Sequence, residues 1–394
     1  MKLKGRNKIP RAISIPTIRD RVVLLALKEY LHEFFSDQVN RKRPNAYVKD
    51  IKKYINANKK EKHFVKLDIK TFYDSIDHDI LLDMLKGANL DPLAINLVES
   101  AIKNPTVPIN TRKEEYSKHT PTIGVPQGTS ISNILAQVYL QNLDKTIDKR
   151  TYFYSRYVDD ILLINDEPFS KFRLNNLKKV VNELNLTLHE DKEEQGLLSD
   201  SFDFLGYSIQ DYNISIANKN VELFIRRIAG KFTWFKNGIE RPSTRPKWLL
   251  TDNDRYKEVF LEELNESITG IISEDKNYGW LFYFSEMNDQ SLLFKIDKII
   301  NNFFEQLEPF DYKAPIGLKK LVRTFFAIKH KNNINYISNY SDYDTIRKKR
   351  NFLEFRGYID PENDYKDWEI NILFKKYRNK QLRYVESDVG YNYI

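Results

Sequence analysis

The chain contains no cysteine. Disulfide bonds and thiolate metal ligands are therefore excluded, and the six histidines show no zinc-ligand spacing, so any bound metal must be held by oxygen atoms. The sequence also lacks an apolar stretch at its N-terminus and any run of about 18 consecutive apolar residues. From these absences we expect a cytoplasmic protein that makes no membrane contact.

The charge balance is basic, with 63 Lys and Arg against 55 Asp and Glu and a formal net charge of +8. A positive surface field favours polyanions such as nucleic acid, and the 13% of aromatic residues suits base stacking, although ordinary core aromatics account for most of them. With 394 residues, the chain exceeds the ~250–300 residues that one hydrophobic core supports. We therefore expect two or three subdomains.

The first 60 residues contain one clear periodic segment. Residues 17–36 have the spacing of an amphipathic helix. Its predicted apolar face consists of Val23, Leu24, Leu27, Leu31, Phe34 and Phe35. The basic stretch at residues 41–60 predicts a solvated surface, which either faces phosphates or has no partner.

From residue 64 the pattern mixes strands with helices, and beyond about residue 218 it becomes mostly helical. Asp77 is a predicted helix cap. Strands are predicted at residues 64–69, 152–154, 161–164, 186–188 and 204–209, and helices at 79–85, 131–140, 169–184 and 292–300. The order of these elements predicts an α+β core with a helical C-terminal part.

Three acidic residues are the candidate metal ligands. Asp159 and Asp160 follow Tyr157 and Val158 at a predicted hairpin tip, and Asp68 closes the strand at 64–69. Carboxylates among apolar strands are costly without a cation, and polynucleotide synthesis needs two divalent ions roughly 3.5–4 Å apart. The alternative is a turn that uses Asp for local hydrogen bonds.

Two further segments carry candidate nucleotide contacts. Tyr73 lies five residues after Asp68 and could exclude a sugar 2′ hydroxyl, although an ordinary core tyrosine is the preferred interpretation of this position alone. In the loop at 124–132, Gly128 permits close backbone approach and Gln127 can hydrogen-bond a template or an incoming nucleotide. The alternative is a helix-entry loop without a ligand. A strand ending in an acid, a glycine-bearing loop and a hairpin with two acids follow one another in this order. Together they restrict the possible functions far more than any one of them does alone.

In this order the motifs resemble those of bacterial reverse transcriptases. Residues 66–76 are similar to the family's first catalytic motif, residues 124–140 to the second, and residues 157–160 to its YxDD hairpin. The resemblance implies an α+β right-hand polymerase with an antiparallel-sheet palm. It places fingers and palm in residues 1–217 (fingers mainly 1–60 and 80–120), a helical thumb in 218–308 and a helical C-terminal extension in 309–394.

The same resemblance implies roles for individual residues. Asp68, Asp159 and Asp160 would hold two Mg²⁺ ions, with Mn²⁺ as an alternative, and Lys192 would protonate the pyrophosphate leaving group. Residues 204–207 resemble a primer grip, and residues 278–284 resemble thumb sequences. The residues implied to contact the nucleotide are Arg11, Ile69, Tyr73, Gln127 and Gly128.

Departures from subgroup patterns favour one branch of the family. Ser132-Asn133 replaces the usual Ser-Pro pair, the sequence around Gln127 argues against diversity-generating enzymes, and retron signatures are missing. Group II intron maturases are also disfavoured. The resemblance is greatest to defence-associated and abortive-infection enzymes that act against phage.

The expected function is RNA-directed DNA synthesis from dNTPs in antiphage defence, with a structured non-coding RNA as template. A homo-oligomer or a companion defence protein is a further partner that this branch suggests. One alternative is template-independent or protein-primed DNA synthesis at the same site. Another is a catalytically silent RNA-binding module, and the basic segments at 347–352 and 374–378 fit either RNA binding or a solvated helical face.

Overall fold

The structure, a computed structural model, describes residues 12–57, 60–108, 110–112, 114–116, 120–147, 151–330, 334–387 and 389. Arg11, a predicted triphosphate contact, lies outside these residues. The chain forms two compact units, one of Met1–Arg43 with Lys53–Asp200 and one of Pro44–Lys52 with Ser201–Ile394. The predicted division into fingers, palm, thumb and extension stays a prediction.

The described part of the chain up to residue 200 contains several helices and one sheet. These helices are α1 (Ile18–Phe34), α2 (Pro44–Ala57), α3 (Phe72–Ser75), α4 (His78–Gly87), α5 (Pro92–Lys103), α6 (Ser132–Tyr139), α7 (Gln141–Thr146) and α8 (Lys171–Glu183). The strands are β1 (His63–Asp68), β2 (Phe153–Tyr157), β3 (Asp160–Asn165) and β4 (Glu194–Leu197). They form an antiparallel sheet in the order β2-β3-β1-β4, which puts β1 and β3 at its centre.

The central strands explain where the core of the first unit lies. Phe64, Val65 and Leu67 of β1 are buried, and residues 161–164 of β3 form a continuous buried apolar run. A run without alternation is typical of a strand covered on both faces. The core cluster continues into apolar side chains of α1, α4, α5, α6 and α8, so the sheet is held as a rigid platform.

The prediction for the first helix is confirmed in position and partly wrong in its face. Leu24, Leu27 and Leu31 are buried in α1, and Phe35 is buried just after it. Val23 and Phe34 are 42% and 40% exposed, because a 3.6-residue period turns them away from the line of the three leucines.

The solvated surface predicted for residues 41–60 is confirmed for exposed basic side chains such as Arg43 and Lys53, and is wrong for the stretch as a whole. This stretch contains α2, whose Val48, Ile51 and Ile55 are buried. These three residues follow helical spacing, but the lysines between them dominate the composition. The Asp77 cap is confirmed, since its carboxylate accepts hydrogen bonds from the backbone N–H groups of Asp79 and Ile80 at 2.9 and 3.1 Å.

The second unit contains two small sheets and the remaining helices. The strands are β5 (Phe202–Phe204), β6 (Tyr207–Gln210), β7 (Asn213–Ile216), β8 (Ile271–Ser273), β9 (Lys276–Tyr278) and β10 (Ser338–Asn339). The helices are α9 (Asn218–Glu240), α10 (Asn253–Thr269), α11 (Trp280–Tyr283), α12 (Gln290–Phe304), α13 (Leu321–His330), α14 (Ile346–Phe355) and α15 (Asp367–Val385). The sheets have the orders β5-β6-β7 and β10-β8-β9, and the predicted helix at 292–300 is confirmed as part of α12.

Two strand predictions need correction. Residues 186–188 do not form a strand, and Leu188 makes only an isolated bridge to Ile69. The strand predicted over 204–209 is interrupted at Leu205 and Gly206, whose positive φ angles of 50° and 80° reverse the chain between β5 and β6. The short β8–β10 sheet was not predicted, because strands of two or three residues are too short to show periodicity.

Buried ion pairs join the helices of the second unit. The Arg356 guanidinium, which is 2% exposed, donates to Glu266 at 2.7 Å. The Lys231 ammonium lies 2.5 Å from Glu263, which also accepts a hydrogen bond from the Tyr377 hydroxyl at 2.9 Å. Since an unpaired buried charge is costly, these contacts fix α9, α10 and α15 in register.

The α+β class predicted from the sequence is confirmed by the mixture of helices and mainly antiparallel sheets. Within the described residues, no helix is both long enough and apolar enough to cross a membrane.

Candidate active site

The register of the central sheet brings the predicted acids together. Asp68, the last residue of β1, lies directly opposite Asp160, the first residue of β3. Paired positions in an antiparallel sheet have Cα atoms about 4.5–5.5 Å apart. The backbone N–H of Ile69 donates to the Asp159 carbonyl at 3.3 Å, which ties the end of β1 to the hairpin tip. Asp68 thus shares one end of the sheet with Asp159 and Asp160, which lie some 90 residues later in the chain.

The hairpin tip has an unusual backbone. Tyr157 pairs with Asp160, so Val158 and Asp159 alone form the connection between β2 and β3. Val158 has a φ of 56°, a left-handed conformation that is strained for a β-branched residue. The Arg156 guanidinium donates to the Val158 carbonyl at 2.9 Å and is itself paired with Asp144. This anchored turn fixes the direction of the adjacent carboxylates.

The carboxylates repel one another. Burial, together with the negative charges of Asp159 and Asp68, raises the pKa of Asp160 to about 7, against the opposing effect of the Lys66 and Lys192 ammonium groups. Two basic side chains are therefore not enough to neutralise the site. A cation bound here would relieve this excess negative potential.

Lys192 lies against the first acid. Its ammonium group donates to both carboxylate oxygens of Asp68 at 2.9 Å while half of its side chain stays exposed. The segment before it is bound to the end of β1, since the His189 N–H donates to the Asp68 carbonyl at 2.8 Å. The residues predicted to carry catalysis, Asp68, Asp159, Asp160 and Lys192, are therefore neighbours.

The donors present fit a hard divalent cation. They are carboxylate oxygens, which Mg²⁺ prefers, and the Lys192 ammonium already occupies a cation position on Asp68. Across the residues that the structure describes, no three or more His, Cys, Asp or Glu side chains form a group that could hold a metal by themselves. Mg²⁺ is usually bound through one or two carboxylates completed by water and substrate phosphates, so a partial protein shell is consistent with such a site.

The raised pKa of Asp160 predicts a pH-dependent stability. From the ordinary value of 3.8 up to about 7, the unfolded chain releases the Asp160 proton while the folded chain keeps it, so stability falls as pH rises through this window. In metal-free buffer we expect Asp160→Asn to raise the Tm at pH 8 by at least ~2 °C and to change it little at pH 4. Differential scanning calorimetry measures this, with the exposed Asp37→Asn as the matched control. An equal shift at both pH values would contradict the electrostatic cause.

A second set of predicted residues lies on the loop before α6. The Gln127 amide donates to the Asp74 carboxylate at 2.9 Å, and the Gln127 carbonyl accepts from the Ser14 N–H at 2.7 Å. The Val125 N–H donates to the Tyr73 carbonyl at 2.7 Å. These bonds join the loop to the turn that follows β1, so Tyr73 and Gln127 are held as one structural unit.

Gly128 is required by its surroundings. Its φ is 102°, and a Cβ atom there would lie 2.7 Å from the Ile13 Cγ2 atom and 3.0 Å from the Ser14 carbonyl oxygen. The sequence suggested that a ligand approaches the Gly128 backbone closely. On this side of the loop, Ile13 and Ser14 of the chain itself occupy that position. Gly128 is exposed, while Gln127 is half-buried.

The remaining predicted contacts differ in their surroundings. Tyr73 is half-buried against the core with its ring 5.6 Å from that of Phe72. The Ile69 side chain is only 1% exposed, so any contact with a nucleotide would have to use its backbone.

Asp74 was missed as a site residue. In the sequence, its position beside Tyr73 was the only signal, because its partner Gln127 is 53 residues away.

The part of the chain that carries the acids is similar to known proteins. Residues 3–209 match the family model described as reverse transcriptase (RNA-dependent DNA polymerase). The group II intron-encoded protein LtrA of Lactococcus lactis subsp. cremoris is 28% identical over 152 residues, which is 36% of this chain and 24% of that protein. An uncharacterized 91 kDa protein in the cob intron of Schizosaccharomyces pombe is 29% identical over 143 residues, 35% of this chain and 17% of that protein. The chain thus spans a quarter or less of the length of these relatives.

Solved structures with a similar arrangement include telomerases. The apo telomerase of Candida tropicalis has a TM-score of 0.41 at 12% identity, with 86% of this chain and 54% of that chain covered. The telomerase of Candida albicans in complex with a TWJ fragment of telomeric RNA has a TM-score of 0.39 at 15% identity, with 94% and 55% covered.

Proposed function

Because the chain belongs to the reverse transcriptase family, we propose that it is an RNA-directed DNA polymerase whose active site is built on Asp68, Asp159 and Asp160. The observation that carries this proposal is the register of the central sheet, which sets Asp68 opposite Asp160 with Asp159 in the adjoining turn. A pair of strands used only for stability would gain nothing from facing carboxylates, since like charges directly opposite are destabilising.

The three carboxylates are proposed to bind two Mg²⁺ ions, with Mn²⁺ as a substitute. When bound, these ions would activate the primer hydroxyl and neutralise the triphosphate. Asp160, whose pKa is raised by burial and by its acidic neighbours, would lose its proton as the cation binds. Lys192 would then leave Asp68 and donate a proton to the pyrophosphate leaving group, for which its half-exposed side chain has room.

The loop before α6 is proposed to receive the incoming nucleotide. Since Asp74 takes one amide hydrogen of Gln127, the rest of that amide can face a base or sugar in a fixed orientation. Tyr73 is proposed to contact the sugar at the 2′ carbon, with Gly128 and the Ile69 backbone beside it. Arg11 is proposed to contact the triphosphate.

The biological role is proposed from the sequence motifs. The departures at Ser132-Asn133 and the intact YxDD hairpin support a cytoplasmic enzyme of antiphage defence, with a structured non-coding RNA as template and a homo-oligomer or companion defence protein as partner. LtrA is described as group II intron-encoded, whereas our motif comparison disfavours intron maturases. The subgroup therefore stays a prediction.

The test is DNA synthesis by the purified full chain. With Mg²⁺, dNTPs and a primed RNA, we expect extension to the end of the template, measured on a denaturing gel. Omitting one dNTP should stop extension at the first complementary template base. Incorporation of one or two dNTP types that ignores the added template would instead favour untemplated or protein-primed synthesis. No incorporation under any of these conditions, with RNA binding retained, would leave the silent RNA-binding module as the better account.

A further inference from the structure

A cleft in the second unit has the chemistry of a polynucleotide site. It lies between α12 and α13 and has a volume of about 460 Å³. Phe294 and Phe326 line it, and they are 61% and 40% exposed. The Phe326 ring stacks on the His330 ring with 5.9 Å between the centroids. Exposed aromatic rings that share one cleft are typical of an interaction site, whereas single ones are common on any surface.

The lining residues follow helical spacing on both walls. On α12, Phe294, Lys298 and Asn301 are four and three residues apart and share one face. On the other wall, Lys320 immediately precedes α13, and Arg323 and Phe326 are three residues apart within it. Each wall therefore presents one aromatic ring and at least one cation to the same space.

The cations of the cleft are not neutralised. Among the described residues, no carboxylate forms an ion pair with Lys298, Lys320 or Arg323. By contrast, Lys329 of the same helix is paired with Glu286 at 3.6 Å. Asp297 is near enough for its charge to interact with that of Lys320, so one acid faces three exposed cations, which leaves a local positive potential that favours a polyanion.

The single acid of the lining does not cancel this potential. Asp297 is 9% exposed, and its carboxylate accepts hydrogen bonds from the N–H groups of Leu321 and Val322 at 2.8 and 3.2 Å. It thus caps α13 and points into the helix end. Arg323 is also oriented, because its guanidinium stacks 4.4 Å from the centre of the Tyr336 ring.

We propose that this cleft binds a single-stranded polynucleotide, with bases stacked on Phe294 and Phe326 and phosphates held by Lys298, Lys320 and Arg323. Stacking on aromatic rings beside cations is how proteins hold single strands without reading their sequence. Neither contact requires a 2′ hydroxyl, so RNA and DNA should bind about equally. A duplex should bind much more weakly than a single strand, because its bases are already stacked on one another. The inference stands apart from the polymerase proposal, since binding needs no chemistry.

The test uses the full chain with a fluorescein-labelled oligouridylate of about 15 nucleotides, near the upper end of known single-strand site sizes. Binding is measured by anisotropy in EDTA without dNTPs, so a failure of the polymerase proposal would not affect the readout. We expect Phe294→Ala with Phe326→Ala to raise Kd roughly tenfold or more. Lys298→Gln with Arg323→Gln should lower the slope of log Kd against the logarithm of the salt concentration by about 1.4, since each lost phosphate contact lowers it by about 0.7.

Matched controls are available outside the cleft and outside the two basic segments. Trp368→Ala removes a ring of α15 that is 58% exposed, and Lys219→Gln with Lys276→Gln removes two exposed cations. These variants should leave Kd within about twofold if the cleft is the site. Equal losses in cleft and control variants would show general electrostatic attraction and overturn the proposal.

Location is tested by photo-crosslinking with 4-thiouridine in the same oligonucleotide. We expect crosslinked peptides from residues 290–304 or 321–330, and their loss when an unlabelled DNA of the same length competes. Crosslinks that map only to other segments, or a blunt RNA duplex that competes as well as the single strand, would overturn the proposal.

Discussion

Asp159→Asn and Asp160→Asn are each expected to lower primer extension by at least ~10³-fold, because each removes a carboxylate charge from a site proposed to stabilise a transferring phosphoryl group by several kcal/mol. Asn keeps the size and shape of the side chain, so the hairpin between β2 and β3 should persist. The measurement is the single-turnover rate of dNTP addition at saturating Mg²⁺. RNA binding in EDTA should change less than threefold, which separates chemistry from substrate affinity.

The matched control for both variants is Asp37→Asn, which removes an exposed acid after α1. Its rate should equal that of the wild type. If Asp159→Asn and Asp160→Asn retained extension near the wild-type rate, the carboxylates would not be the metal ligands. The facing pair in the sheet would then have to be explained without catalysis.

Lys192→Ala is expected to lower the rate of addition by about 10²-fold or more, the usual contribution of a positioned general acid. Lys192→Arg keeps the positive charge beside Asp68, but a guanidinium does not give up its proton. We therefore expect Arg to restore the KM for dNTP while the rate stays low. Steady-state and single-turnover kinetics across pH 6–9 measure both effects.

The control for this experiment is Lys178→Ala, since Lys178 forms a comparable ion pair with Glu193 at 2.7 Å on the surface of α8. Loss of that pair should cost little, as exposed ion pairs contribute ~0–1 kcal/mol to stability. Full activity in Lys192→Arg would show that charge alone is needed beside Asp68. The proposal that Lys192 donates a proton would then be wrong.

The sequence predicted the elements that bear the acids because those elements have strong local signals. The alternation before Asp68, and the apolar runs on both sides of Asp159 and Asp160, identified the ends of β1 and β3 to within one residue and those of β2 to within three. The cap at Asp77 was equally local, since it depends on the N–H groups two and three residues later.

Local patterns were misleading where composition and periodicity disagreed. Lysines hid the apolar face of α2, and the segment before Lys192 looked like a strand although only Leu188 bridges to β1. The Gln127–Asp74 hydrogen bond could not be predicted, because its partners come from separate motifs and both are side chains.

By itself, the sequence determined the order of the motifs and the absence of thiolate ligands, and it predicted which acids could bind metal, since side-chain chemistry and short-range periodicity are written in the chain. Only the tertiary structure decided that β1 pairs with β3 in the register that sets Asp68 against Asp160, and that Lys192 returns to Asp68. The strand pairing depends on contacts between residues far apart in the chain. A shift of one residue would turn these side chains to the opposite face of the sheet and would expose Val65 and Leu67 of β1, which opposes that shift.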